Sequence, residues 1–162
     1  MRIVFIGAGN LATNLAMAMR KAGYEIVQVY SRTEKSAEDL AHQTVAEPIT
    51  QMNRIIADAD MYIISVNDDA IEEVLKKFPH KNVFLVHTAG SVSLEVFKDH
   101  TNKAGVIYPI QTFSKDRLLE FDQIPICLEA NNDQNLVSLK SIAENLSKRV
   151  HFVNSVQRLY LH

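Results

Sequence analysis

Met1-Arg-Ile-Val-Phe-Ile-Gly-Ala-Gly-Asn-Leu-Ala12 carries the strongest structural signal in the chain. A mostly apolar, β-favouring run from Arg2 to Ile6 enters Gly7-x-Gly9-x-x-Ala12. A pattern of helical period then continues through Leu15, Met19 and Ala22 to Gly23. Strand, glycine turn and helix are the parts of a dinucleotide-binding crossover. Gly7 permits the tight turn, Gly9 lets a pyrophosphate approach the backbone with no Cβ in the way, and Ala12 lets the helix pack on its strand. The pyrophosphate would rest on the unpaired amides of Asn10, Leu11 and Ala12, favoured by the positive end of the helix dipole. A glycine turn that binds nothing is the plainer alternative, and the flanking strand and helix weigh against it.

The next strand selects the dinucleotide. Glu25-Ile-Val-Gln-Val-Tyr30 follows the helix stop at Gly23 and ends in Ser31-Arg32-Thr33. An NAD site usually has Asp or Glu here to accept hydrogen bonds from the ribose 2′-hydroxyl. No acid is present. Arg32 can instead pair with a 2′-phosphate, with Ser31, Thr33 and Ser36 as hydroxyl donors. The cofactor expectation is therefore NADP(H), against the alternative of an exposed loop arginine.

Beyond this point strands and helices alternate. Helices are expected over 34–42, 49–58, 71–78 and 133–147, with a shorter one over 93–98 capped by Ser93. Strands are expected at 45–46, 60–66, 82–87, 103–108, 124–129 and 150–153. The run Asp60-Met-Tyr-Ile-Ile-Ser-Val66 is nearly continuous in apolar residues, the mark of a parallel strand covered on both faces. This order predicts an α/β domain over 1–153: a doubly wound, mostly parallel sheet in three α/β/α layers. Asn67-Asp68-Asp69 is read as a helix cap. The pairs Asp68/Asp69 and Glu72/Glu73 then fall in the first helical turns, where negative charge suits the dipole, so they read as a solvated face and not as an acid–base dyad.

Composition limits the function classes. In 162 residues, 47% are hydrophobic and 22% charged, ordinary for a globular protein. Seventeen basic and nineteen acidic residues give a net charge of -2 with the signs mixed, which argues against nucleic acid. No run approaches a membrane span, no signal peptide is evident, and the single Cys127 fits a reducing compartment, so a cytoplasmic location is expected. The five histidines other than His87 show no paired spacing with Cys or acids, and no metal is expected.

Gly-Ala-Gly-Asn-Leu-Ala at 7–12, His-Thr-Ala-Gly-Ser at 87–91, Tyr-Pro-Ile-Gln-Thr-Phe-Ser at 108–114 and Ile-Pro-Ile-Cys-Leu-Glu-Ala at 124–130 occur in that order. Together they resemble a family of Rossmann-like NADP oxidoreductases of unassigned function. That group is similar in architecture to pyrroline-5-carboxylate reductase, the coenzyme F420-dependent NADP reductases and 6-phosphogluconate dehydrogenase. The resemblance implies a Rossmann NAD(P)-binding fold. It also implies a C-terminal all-helical domain that closes the substrate cleft and forms a homodimer. Asn154–His162 is expected to begin a helix, with Val156, Leu159 and Tyr160 on one side, that leads into such a domain.

In open α/β sheets, ligands bind beyond the carboxyl ends of the strands. Val66, Asn67 and Asp68 at one such end, and His87, Thr88, Ala89 and Gly90 at the next, are the candidates for the nicotinamide half. His87 is the candidate proton donor, on a near-neutral pKa, or else a histidine that hydrogen-bonds backbone. Ser91, Tyr108, Gln111 and Thr112 are candidates for the substrate wall. The primary expectation is an NADP(H)-dependent oxidoreductase acting on a small imine, ketone or hydroxy acid. The alternatives are a non-catalytic NADP(H)-binding regulatory module and a dinucleotide-type fold with an empty site.

Overall fold

The computed structural model describes all residues from Met1 to His162. The five N-terminal apolar residues form β1 (Arg2–Ile6), and the helix after the glycine turn is α1 (Asn10–Lys21). β2 (Glu25–Tyr30), α2 (Glu34–Thr44), β3 (Glu47–Ile49), β4 (Met61–Ile64) and α3 (Ile71–Lys77) complete the first half. β5 (Leu85–His87), β6 (Ala104–Pro109), β7 (Ile126–Ala130), α4 (Asp133–Leu146), β8 (Val150–Phe152) and α5 (Ser155–Leu161) follow.

The eight strands form one sheet in the order β3-β2-β1-β4-β5-β6-β7-β8. All neighbours run parallel except β6 and β7. The chain works outward from β1 to β3, then crosses back to place β4 on the other side of β1. That reversal opens a crevice between the ends of β1 and β4.

Alternate residues of the buried strands enter different cores. Ile3 and Phe5 pack with Leu15, Met19, Leu40, Leu139 and Ile142 on one face. Val4 and Ile6 pack with Tyr62, Ile64, Ile71, Leu75 and Phe97 on the other. β1 is therefore apolar without alternation because neither side chain direction meets water. The doubly wound α/β/α expectation is met.

Several local expectations are corrected. Residues 49–58 are not a helix: Ile49 ends β3, and only a single 3-10 turn, Met52–Arg54, follows. The expected strand at 45–46 lies two residues later, because Val45 takes a left-handed conformation (φ 57°) to end α2. Pro48 is tolerated in β3 because β3 is the sheet edge. The 93–98 helix is a 3-10 turn over Leu94–Phe97, with Ser93 accepting from the Glu95 amide at 3.1 Å. Asn67 makes no side-chain cap, and a 3-10 turn over Asp68–Ala70 leads into α3 instead.

α5 is capped by a reciprocal Asn154–Gln157 pair, each side chain bonded to the other's amide at 2.8 Å. It is anchored by Arg158, which is fully buried. The guanidinium donates from Nε to the Ala89 carbonyl at 3.0 Å, from Nη1 to the Glu129 carboxylate and from Nη2 to the Val92 carbonyl. Ser155 Oγ donates to the same carboxylate.

Candidate functional site

A groove of about 600 Å³ lies over the crevice between the ends of β1 and β4. Gly9, Asn10, Leu11 and Ala12 form its floor. Ser31, Arg32, Thr33 and Ser36 close one end, and Val66, Asn67, Asp68 and Thr88 line the other. The sheet order thus brings together most of the expected cofactor residues, although they come from four separate strand ends.

The two motif glycines do different work. Gly7 has φ 117°, and a Cβ there would lie 2.1 Å from the Ser65 carbonyl oxygen, so the close approach of β1 and β4 needs glycine. Gly7 is buried beneath the groove and does not line it. Gly9 has φ -81°, and a Cβ there would meet nothing within 4 Å. Only open groove lies beyond it. No acidic residue occupies the first turn of α1 and no side chain caps it, so the amides there face the groove without an internal anion. This cradle fits a diphosphate.

At the β2 end, Arg32 is exposed and enters none of the chain's ion pairs. Thr33 caps α2, its Oγ1 accepting from the Ser36 amide at 3.4 Å, which leaves its hydroxyl hydrogen free to donate. Thr88, just past β5, donates to Ser65 Oγ, just past β4, at 3.0 Å.

The β5 end differs from expectation. His87 is fully buried within the sheet and absent from the groove lining. Its Nδ1 accepts from the Ala89 amide at 3.0 Å, and its Nε2 has no hydrogen-bond partner. Burial first, and the Arg158 guanidinium second, push its pKa down to about 4. Of the two readings of His87, the near-neutral proton donor and the histidine that hydrogen-bonds backbone, the structure matches the second: a neutral, backbone-bonded core histidine. Ala89 and Gly90 are also buried.

A polar cluster adjoins the groove at Asp68. Ser91 Oγ donates to Asp68 Oδ2, and His162 Nε2 lies 4.0 Å from the same oxygen. His162 Nδ1 is 3.1 Å from the Tyr108 hydroxyl. Burial and the Asp68 charge raise the Tyr108 pKa, so its hydroxyl stays protonated. Ser91 and Tyr108 are thus brought together. Gln111 and Thr112 are not: both are exposed, and Gln111 Oε1 only accepts from the Thr112 amide at 3.0 Å.

Residues without a sequence signal complete the site. Glu73, Val74 and Lys77 of α3 and Lys115 from the β6–β7 connection line the groove. The one available hint was in α1, where Asn10 and Asn14, poor helix formers, recur one turn apart. Asn14 Nδ2 donates to Ser114 O at 2.9 Å, and Asn10 Oδ1 accepts from the Lys115 amide at 3.2 Å. A larger cavity of about 740 Å³ beside α1 and Leu118–Asp122 lies away from the strand ends. No His, Cys, Asp or Glu cluster suited to a metal is present, and no helix is long and apolar enough to cross a membrane.

Comparison with known proteins agrees with the architecture. A candidate NADP oxidoreductase from Bacteroides fragilis superposes with a TM-score of 0.92 at 44% identity over 99% of this chain and 63% of that one. A Thermotoga maritima protein superposes with a TM-score of 0.79 at 25% identity over 99% of this chain and 60% of that one. The glutamyl-tRNA reductase of Chromohalobacter salexigens is 30% identical over 146 residues, 85% of this chain but 32% of the reductase. The chain thus spans about three fifths of the two solved structures (63% and 60%) and about a third of the reductase (32%). Residues 2–90, more than half of the chain, match the family described as NADP oxidoreductase, coenzyme F420-dependent, and the protein belongs to that family.

Proposed function

We propose that this chain is the cofactor-binding part of an NADP(H)-dependent oxidoreductase that reduces, or in reverse oxidises, a small imine, ketone or hydroxy acid. The observation that carries the choice of cofactor is Arg32: an unpaired guanidinium at the end of β2, with no carboxylate at the position where an NAD-type site needs one. In this reading the first turn of α1 holds the diphosphate, while Ser31, Arg32 and Thr33 hold the 2′-phosphate. Val66, Asn67 and Thr88 face the nicotinamide half. The bound cofactor supplies the hydride chemistry. Tyr108, Ser91 and His162 are the polar groups at the substrate edge, and Asp68 orients Ser91 and His162. His87 takes no part as a proton donor in this reading, because it is buried away from the groove.

Residues 1–153 form the binding domain in this proposal, and α5 begins a helical domain through which the longer protein dimerises. The greater length of both superposed structures supports that extension. A second reading, a non-catalytic NADP(H)-binding module, draws support from the withdrawal of His87 into the core.

Calorimetric titration tests the cofactor assignment. NADPH is expected to bind at least about tenfold more tightly than NADH, the scale of one charge-assisted contact. Arg32→Ala should remove most of that difference. Equal affinities in the unmodified protein would overturn the assignment.

A further inference from the structure

The connection between β6 and β7 passes over the mouth of α1, and it is fixed there. Asn14, only 2% exposed, donates from Nδ2 to the Ser114 carbonyl at 2.9 Å and accepts the Leu119 amide on Oδ1 at 3.0 Å. Asn10 Oδ1 takes the Lys115 amide at 3.2 Å. Phe113 and Phe121 stack beneath, with ring centroids 5.6 Å apart. Two helical asparagines thus hold both ends of a short strap, and Lys115 sits on it, lining the groove above the Gly9 turn.

The charges in the groove are not equivalent. Lys77 is held by Glu73 at 3.5 Å one turn earlier on α3. Lys115, like Arg32, enters no ion pair. The groove therefore contains two cations without carboxylate partners. Arg32 stands at the β2 end, and Lys115 at the start of α1, beside the amides that carry the positive end of the helix dipole. Because its backbone is already fixed by Asn10, the lysine reaches an anion with less ordering of the chain than a free loop would require.

We propose that Lys115 is an anion clamp for the diphosphate of the dinucleotide, carried on a strap that Asn10 and Asn14 pin over the glycine turn. The assignment rests on the dinucleotide reading above but not on the choice of NADP over NAD. The diphosphate is common to both cofactors, so Lys115 sets overall affinity while Arg32 sets selectivity.

The test is calorimetry with NADPH and with NADH on the unmodified chain, Lys115→Gln, Lys115→Arg and Arg32→Ala. Lys115 is exposed, so the melting temperature of its variants should be unchanged. Lys115→Gln is expected to weaken NADPH and NADH by the same factor, about tenfold at low salt. That loss should shrink as ionic strength rises, and Lys115→Arg should restore most of the affinity. Arg32→Ala should weaken NADPH alone. A Lys115→Gln loss confined to NADPH would move the lysine to the 2′-phosphate and overturn the clamp, as would unchanged binding of both cofactors. Failure of the unmodified chain to bind either dinucleotide would instead remove the cofactor reading on which the clamp rests. Equal binding of both, with the Lys115→Gln loss intact, would support the clamp while removing only the NADP preference.

Discussion

At the scale of single residues, Gly7 and Gly9 play separable parts, one against a neighbouring strand and one in the groove. Gly7 needs a backbone conformation that L side chains rarely adopt and has backbone 2.1 Å from where a Cβ would sit. Gly7→Ala should therefore destabilise the fold by more than about 2 kcal/mol in urea denaturation. At Gly9 the same addition meets empty groove at an ordinary φ. Gly9→Ala is expected to keep stability within about 0.5 kcal/mol, while its methyl group weakens NADPH binding in calorimetry. Comparable stability losses in the two variants would refute the distinction. The motif alone named both glycines. It did not say that one faces a neighbouring strand and the other faces the open groove, because that depends on where β4 lies.

At the scale of elements, α5 shows how a polar residue can dock a helix. Its apolar residues Val156, Leu159 and Tyr160 are exposed, at 64%, 56% and 87%, while Arg158 is at 0%. A helix face is normally read from its apolar stripe, and here that stripe points away from the contact. Arg158→Met would leave the Ala89 and Val92 carbonyls without donors and Glu129 without its ion-pair partner. A loss of about 3 kcal/mol in urea denaturation is expected. Increased hydrogen exchange across residues 87–93 should accompany it, since the guanidinium ties that segment to α5. A loss under about 1 kcal/mol would mean that something else docks the helix. The sequence offered no warning, because an arginine between apolar neighbours reads as solvated until its partners, 29 to 69 residues earlier, are seen beside it.

At the scale of the whole molecule, His87 couples stability to pH. Its imidazole is depressed from 6.5 to about 4 in the folded state, so below pH 6.5 the unfolded chain takes up a proton that the folded chain refuses. Its contribution is complete above about pH 6.5 and falls away towards pH 4. The total is about 3 kcal/mol, as expected for a buried group. His87→Asn keeps an acceptor for the Ala89 amide and removes the titration. The stability difference between pH 7.5 and 4.5 should therefore be smaller in this variant than in the unmodified protein. Identical differences in the two proteins would sink the assignment.

The strand–turn–helix start, the α/β alternation and most of the groove are legible in the order of residues along the chain. Those features are written locally, in glycine positions, apolar periodicity and the residues that end each strand. The tertiary structure alone decided that His87 is core, that Arg158 holds the last helix, and that Lys115 stands over the first. Each of these depends on which distant segments the sheet order brings together. Burial then sets the charge a histidine can carry and the partners an arginine must find, and no spacing along the chain records either.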